Sequence, residues 1–117
     1  MNNYKDLNVW VKGIEVAKEV YEISLKLPEN VKFSYSSQII KSSLSIPSNI
    51  AEGSGRATTK EYMRFLDIAN GSCYELETQL ILVRDIFKLD VESPLSKIIE
   101  IQKMLFVLKK TLKRKLD

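Results

Sequence analysis

The residues best suited to chemistry lie in the stretch from Ser45 to Arg56, which reads SIPSNIAEGSGR. Two glycines before an arginine are compatible with a phosphate-binding loop, but the stretch lacks the Gly-Lys-Ser/Thr ending of a P-loop and follows no predicted strand. Paired carboxylates can perform acid–base chemistry, and the charged side chains that would have to converge are Glu52, Arg56, Glu61, Arg64 and Glu75. A solvated charged face, or an ion-pair network that holds a turn, explains these side chains equally well.

Histidine is absent from the chain. Its absence excludes histidine-based acid–base catalysis, Ser–His and Cys–His nucleophile pairs, and the Glu-x-x-His motif of di-iron bundles. The acidic residues also lack the spacing of a metal-ligand cluster. We therefore expect no enzymatic activity, no catalytic residue, no metal site and no cofactor.

Positive charge is concentrated at the C-terminus. The net charge is +3, yet the segment from Lys103 onward holds six basic residues and one acidic residue, Asp117. Such a cluster favours a polyanion such as RNA or DNA as partner. Alternatively, the cations only complement the negative end of a helix dipole. If nucleic acid binds, the predicted contact residues are Lys109, Lys110, Lys113, Arg114 and Lys115, helped by Lys41.

Length and composition are those of a single globular domain. The chain has 117 residues, of which 44% are hydrophobic and 28% charged, so we predict one domain spanning residues 1–117. No apolar run approaches the roughly 20 residues of a membrane span. The start MNNYKDLNVW lacks the apolar stretch of a signal peptide, and the lone Cys73 cannot form an internal disulfide. We expect a cytoplasmic protein with no membrane partner.

Hydrophobic spacing predicts an all-α protein of four helices joined by short loops. The first helix is amphipathic and ends near Pro28. The third begins after Thr58 and keeps a heptad pattern of apolar residues to Phe87. The fourth is expected from Ser93, as its N-cap, to about Lys115.

The polar stretch is predicted to be the end of helix two and a turn into helix three. Pro47 should bend helix two, and Gly53 or Gly55 should end it with a positive φ. Thr58 and Glu61 have the spacing of a capping box for helix three. Helices two and three should therefore pack antiparallel, with a structural hairpin made by Pro47, Asn49, Glu52, Gly53, Gly55 and Arg56.

More residues are apolar than one bundle interior requires. Helices one and three each carry a second apolar stripe, and the segment MLFVL in helix four is apolar in every direction. We expect self-association, with an interface that includes Met104, Phe106 and Val107. Gly71 is unfavourable inside a helix, and close approach by another helix would offset its cost.

Several segments resemble a known family. The matching motifs are YKDLNVW (Tyr4 to Trp10), Tyr21, Leu27-Pro28, SIPSNIAEGSGR (Ser45 to Arg56) and EYMRFLDIANGSCYELETQL (Glu61 to Leu80). Together they resemble the four-helix-bundle proteins encoded in intervening sequences of bacterial 23S ribosomal RNA genes. The resemblance covers most of helices one to three, whereas helix four matches only in pattern.

The resemblance implies an antiparallel up-down-up-down four-helix bundle that assembles as a homopentamer and has no enzymatic activity. It also implies relatedness to the accessory proteins of diversity-generating retroelements. Those are similar pentameric bundles that bind a reverse transcriptase and nucleic acid through a basic surface. A nucleic-acid-processing protein is therefore an expected partner, beside RNA or DNA. A purely protein-binding adaptor without a nucleic-acid role is the alternative.

One segment departs from the family pattern. Many members carry a basic pair after the glutamine of helix two, whereas this chain reads Gln38-Ile39-Ile40-Lys41. Only Lys41 is basic there, which weakens nucleic-acid binding inferred from that surface. The C-terminal cluster can substitute, because phosphate contacts need charge rather than a particular position. With no predicted aromatic stacking platform or base-reading helix, binding should be tolerant of sequence and sensitive to salt.

Overall fold

Four α-helices make up most of the chain. A computed structural model describes residues 3–116, so Met1, Asn2 and Asp117 of the predicted domain lie outside the described residues. A short 3-10 turn, Tyr4–Asp6, leads into the helices, which are α1 (Asn8–Ser24), α2 (Glu29–Ser54), α3 (Thr59–Phe87) and α4 (Glu92–Arg114). No strand occurs between residues 3 and 116. The predicted all-α class and number of helices are confirmed.

The helices form a four-cornered bundle in chain order. Each helix packs against the next and α4 closes on α1, whereas the backbones of the diagonal pairs α1–α3 and α2–α4 stay apart within the described chain. Ion pairs between α1 and α4 show the antiparallel register, because Lys12 meets Glu100 at 2.6 Å while Glu19, further along α1, meets Lys97 at 3.1 Å. Pairing with Lys12 lowers the pKa of Glu100, and hydrogen bonding to Glu19 raises the pKa of Lys97.

The core follows the predicted heptad of α3. Its inward residues are buried and pack with apolar residues of the other three helices; they are Leu66, Ala69, Cys73, Leu76, Leu80 and Val83. Burial raises the pKa of the Cys73 thiol to about 12, with a smaller contribution from nearby Glu77. Cys73 is therefore a neutral core residue.

The N-cap predicted from the sequence is found at the start of α3 but not at the start of α4. Thr58 is the N-cap of α3, as predicted, and its hydroxyl accepts a 3.1 Å hydrogen bond from the Glu61 N–H. The prediction that Ser93 caps α4 is wrong. The helix begins at Glu92, whose N–H donates to the Asp90 carboxylate at 3.0 Å, and the Ser93 hydroxyl instead donates to Glu19 of α1. The Ser93 hydroxyl, which the local pattern assigned to the N-cap, is therefore used in a contact with a helix that is distant in sequence.

Pro47 lies inside α2 without ending it. The residue is buried, and its ring faces α1 at Gly13, where an added Cβ would lie 3.3 Å from the Pro47 Cβ. Because both positions present little side chain, the backbones of α1 and α2 approach closely there. Pro47 cannot donate a backbone hydrogen bond within α2, but its ring packs against α1.

The expected positive φ at Gly53 or Gly55 is wrong. No glycine of the described chain has a positive φ, and Gly55, the residue after α2, has a φ of −92°. Gly53 is helical and buried, and a Cβ on it would lie 2.7 Å from the Phe65 Cβ. This glycine allows α3 to approach α2 closely. The left-handed backbone is at Lys88, φ 59°, at the end of α3.

Candidate functional site

The predicted hairpin is held by an ion pair within it and by a contact between its arginine and an aromatic ring of α3. Arg56 pairs with Glu52 at 3.2 Å, and its guanidinium carbon lies 4.6 Å from the centre of the Phe65 ring. A guanidinium over an aromatic face is a favourable cation–π contact. The Gly-Ser-Gly-Arg turn is therefore bound to α3 by its own arginine.

The serine-rich part of α2 forms a hydrogen-bonded seam with α3. The Asn49 amide donates to the Ser45 carbonyl at 2.8 Å and to the Ser45 hydroxyl at 2.9 Å. The Ser45 and Ser72 hydroxyls share a 2.8 Å hydrogen bond between the helices, and Ser42 donates to the Glu75 carboxylate at 3.1 Å. These polar side chains satisfy one another, so the seam joins α2 to α3 as a structural element.

The charged residues considered for acid–base chemistry do not share a partner. Glu52 pairs with Arg56, Glu61 accepts a long 3.5 Å hydrogen bond from the Thr58 hydroxyl, and Glu75 accepts from Ser42 further along the bundle. Arg64 is exposed. Among residues 3–116, no group of three or more acidic, cysteine or histidine side chains is arranged to hold a metal ion.

The basic residues from Lys103 onward lie on the second half of α4 and just after it. Lys109 forms an ion pair with Asp67 of α3. The other cations of the segment are exposed, and none forms an ion pair with an acidic residue of the described chain; they are Lys103, Lys110, Lys113, Arg114 and Lys115. Asp117, the one acidic residue of this segment, lies outside the described residues. We call these five cations together with Lys109 the basic end.

Lys41 is not part of the basic end. It is exposed on α2, which is diagonal to α4, and the backbones of these two helices stay apart in the described structure. Within one copy, the chain therefore does not bring Lys41 beside the C-terminal lysines. A ligand that contacts both must reach around the bundle or bridge two copies.

The three apolar residues expected at a self-association interface have different surroundings. Met104 is partly buried and packs against the core. Val107 is 61% exposed, and Phe106 is 69% exposed and lines a groove toward α3. Ile99, about two turns earlier on α4, is also exposed.

Another apolar surface runs along α1 and α2. Tyr21 and Leu44 are exposed there and line a groove of about 530 Å³ together with Ile14 and Ala17. The second apolar stripe predicted for α1 contributes to this surface. Gly71 lies elsewhere, on α3, and no atom would lie within 4 Å of a Cβ added to it. Any helix that approaches Gly71 must belong to another molecule.

The α3–α4 groove was not anticipated from the sequence. It has a volume of about 630 Å³ and is lined by Met63, Asn70, Tyr74, Gln102, Leu105, Phe106, Lys109, Lys110 and Lys113. Tyr74 lies in the third predicted helix, outside its apolar heptad, and 59% of it is exposed. The sequence signal that could have indicated this groove is an aromatic residue outside the core pattern of its helix. Whether such a residue lines a groove depends on which residues of α4 lie opposite it.

None of the helices in residues 3–116 has the length and apolar character needed to cross a membrane.

Comparisons with known proteins agree with the fold. The sequence model of a family described as 23S rRNA-intervening sequence protein matches residues 5–107. A crystal structure from Bacteroides thetaiotaomicron VPI-5482, of a protein with unknown function from the S23 ribosomal protein family, is similar with a TM-score of 0.77 and 28% sequence identity. The similarity covers 87% of this chain and 98% of that one. No curated protein gives a significant match. Residues 109–115 of the basic end lie beyond the family match.

Proposed function

The chain belongs to the 23S rRNA-intervening sequence protein family, and from this premise we propose that it is a non-enzymatic, homo-oligomeric binding module. Its ligand is nucleic acid or a ribonucleoprotein, bound by the basic end without reading of base sequence. The proposal includes a cytoplasmic location, and a relationship to the accessory proteins of diversity-generating retroelements that rests on sequence resemblance.

The observation that carries the proposal is the concentration of cations without an acidic partner at the basic end. On the body of the bundle, cations that pair with a carboxylate, such as Lys12 and Lys97, are interspersed with exposed ones that form no ion pair in the described chain, such as Lys18 and Lys26. At the basic end only Lys109 has such a partner within residues 3–116. Unpaired cations grouped on one helix terminus attract phosphates, and releasing the phosphates' counterions favours binding.

Self-association is supported by the apolar surfaces that the bundle leaves exposed. The α1–α2 surface around Tyr21 and Leu44, and the outward face of α4 at Ile99 and Val107, lie on different sides of the molecule. Two different apolar surfaces suit head-to-tail contacts, which close into a ring when the rotation permits. We propose a pentamer, in which several copies of the basic end would act together on one ligand.

Two measurements test the proposal. Light scattering at micromolar concentration should give a mass about five times the 13.4 kDa of one chain. Fluorescence anisotropy with labelled RNA and duplex DNA at low salt should show binding that weakens steeply as salt is added. A stable monomer would refute the oligomer, and absence of binding at tens of micromolar protein would refute the nucleic-acid role.

An adaptor that binds only another protein is the second candidate. The exposed Tyr21 and Leu44, with Ile14 and Ala17 beside them, favour it, since such a surface suits a partner helix as well as a second copy. If the protein is a monomer that does not bind nucleic acid but binds a protein partner through this surface, the adaptor function is supported.

A further inference from the structure

The α3–α4 groove presents two aromatic rings to solvent. Tyr74 comes from α3 and Phe106 from α4, and both line the same groove of about 630 Å³. Neither ring belongs to the hydrophobic core or to the partly buried side chains packed against it. An exposed aromatic ring offers a surface on which any nucleobase can stack.

Positive charge lines the same groove. Lys110 and Lys113 are among its lining residues and form no ion pair with acidic residues of the described chain. Lys109 also lines it, but Asp67 already neutralises this lysine. The groove therefore combines aromatic surface with unpaired cations, which is the combination that binds single-stranded nucleic acids.

The groove also has an amide without a partner. The Gln102 Nε2 atom is buried and finds no hydrogen-bond acceptor among the described residues, and Asn70 lines the groove as well. A buried donor without an acceptor is unfavourable, so turning the Gln102 amide toward a ligand that supplies an acceptor would be favourable. Nucleobase edges carry carbonyl and ring-nitrogen acceptors.

We propose that the α3–α4 groove binds a single-stranded segment of RNA or DNA, with bases stacked on Tyr74 and Phe106 and phosphates held by Lys110 and Lys113. This inference rests on the proposed nucleic-acid function and deepens it, because it specifies the form of the ligand. In a duplex the base faces are covered by neighbouring base pairs, so only its phosphates can contact the groove, at the lysines. Single strands should therefore bind more tightly than duplexes.

The test compares a labelled single strand of about 12 nucleotides with its own duplex by fluorescence anisotropy at low salt. The parent should bind the single strand at least about ten-fold more tightly than the duplex. Tyr74→Ala and Phe106→Ala should each weaken single-strand binding at least about five-fold, with little change for the duplex. Phe33→Ala is the matched control, because Phe33 is a highly exposed ring on α2 that lies outside the groove.

Equal affinity for single strand and duplex would overturn the groove assignment while leaving the broader function in place. An equal loss in Phe33→Ala would overturn the assignment in the same way. Absence of binding to either form would overturn the proposed nucleic-acid function as well. Light scattering completes the test. A smaller mass for Tyr74→Ala and Phe106→Ala would mean that a second copy covers the groove, and this would overturn the assignment.

Discussion

Gly53 lies directly against Phe65, so that a Cβ added to the glycine would be only 2.7 Å from the Cβ of the phenylalanine. Carbon atoms that are not bonded make their best contacts at about 3.5–4.0 Å. The glycine is therefore required by the spacing between α2 and α3. In the same hairpin, the Arg56 guanidinium lies over the Phe65 ring. Phe65 therefore contacts both the α2 backbone at Gly53 and the cation of the following turn.

Gly53→Ala should lower the free energy of unfolding by about 1–3 kcal/mol, because the added methyl group overpacks the contact with Phe65 and Tyr62. Gly55→Ala is the control. Its φ of −92° is accessible to alanine, and the nearest atom to an added Cβ is the Glu52 carbonyl oxygen at 3.7 Å. The control should be unchanged or more stable by about 0.5 kcal/mol. Urea unfolding measures both variants, and equal stabilities would disprove the close approach at Gly53.

The hydrogen bond between Ser45 and Ser72 should be measurable as a coupling energy. In a double-mutant cycle, Ser45→Ala and Ser72→Ala should show an interaction of about 0.5–1.5 kcal/mol, since the hydroxyls are 2.8 Å apart in a part-buried seam. Ser34→Ala with Ser72→Ala gives the control cycle. The Ser34 hydroxyl bonds only to its own helix, at Val31, and its effect should add to that of Ser72. Additivity in both cycles would count against the seam.

Cys73 should make stability fall at high pH. Burial raises the pKa of its thiol from 9.0 to about 12, so the folded state holds the proton more tightly than the unfolded state. The resulting stabilisation is complete below pH 9 and is lost as the pH rises from 9 toward 12. The difference in unfolding free energy between the parent and Cys73→Ala should shrink across that range. A constant difference would contradict the shifted pKa.

The cations of the basic end should carry nucleic-acid binding. Replacing the unpaired Lys110, Lys113 and Arg114 by glutamine should weaken binding and flatten its dependence on salt, because fewer counterions are released. Glutamine has a helix propensity similar to that of lysine and arginine, so α4 should still fold. The mass of the oligomer should therefore not change. The control replaces Lys5, Lys18 and Lys26 by glutamine, which removes the same charge from exposed positions near α1. Equal binding by both triple variants would mean that the basic end is only a solvated helix terminus.

Local pattern predicted much of the fold. The apolar heptad of α3 identified the core residues from Leu66 to Val83, and Thr58 with Glu61 marked the start of that helix. Heptad burial and capping depend on residues within a turn or two of one another, so sequence spacing contains the information. The absence of strands and the antiparallel pairing of α2 with α3 follow from the same spacing and a short turn.

The sequence by itself therefore determined four helices, the heptad core of α3 and the antiparallel α2–α3 hairpin. Only the tertiary structure decided that Gly53 serves a close approach, that Asp67 takes Lys109, and that Tyr74 and Phe106 line one groove. These relationships join residues far apart in the chain. They depend on the axial register and rotation of packed helices, which are determined by the complete core rather than by any local pattern.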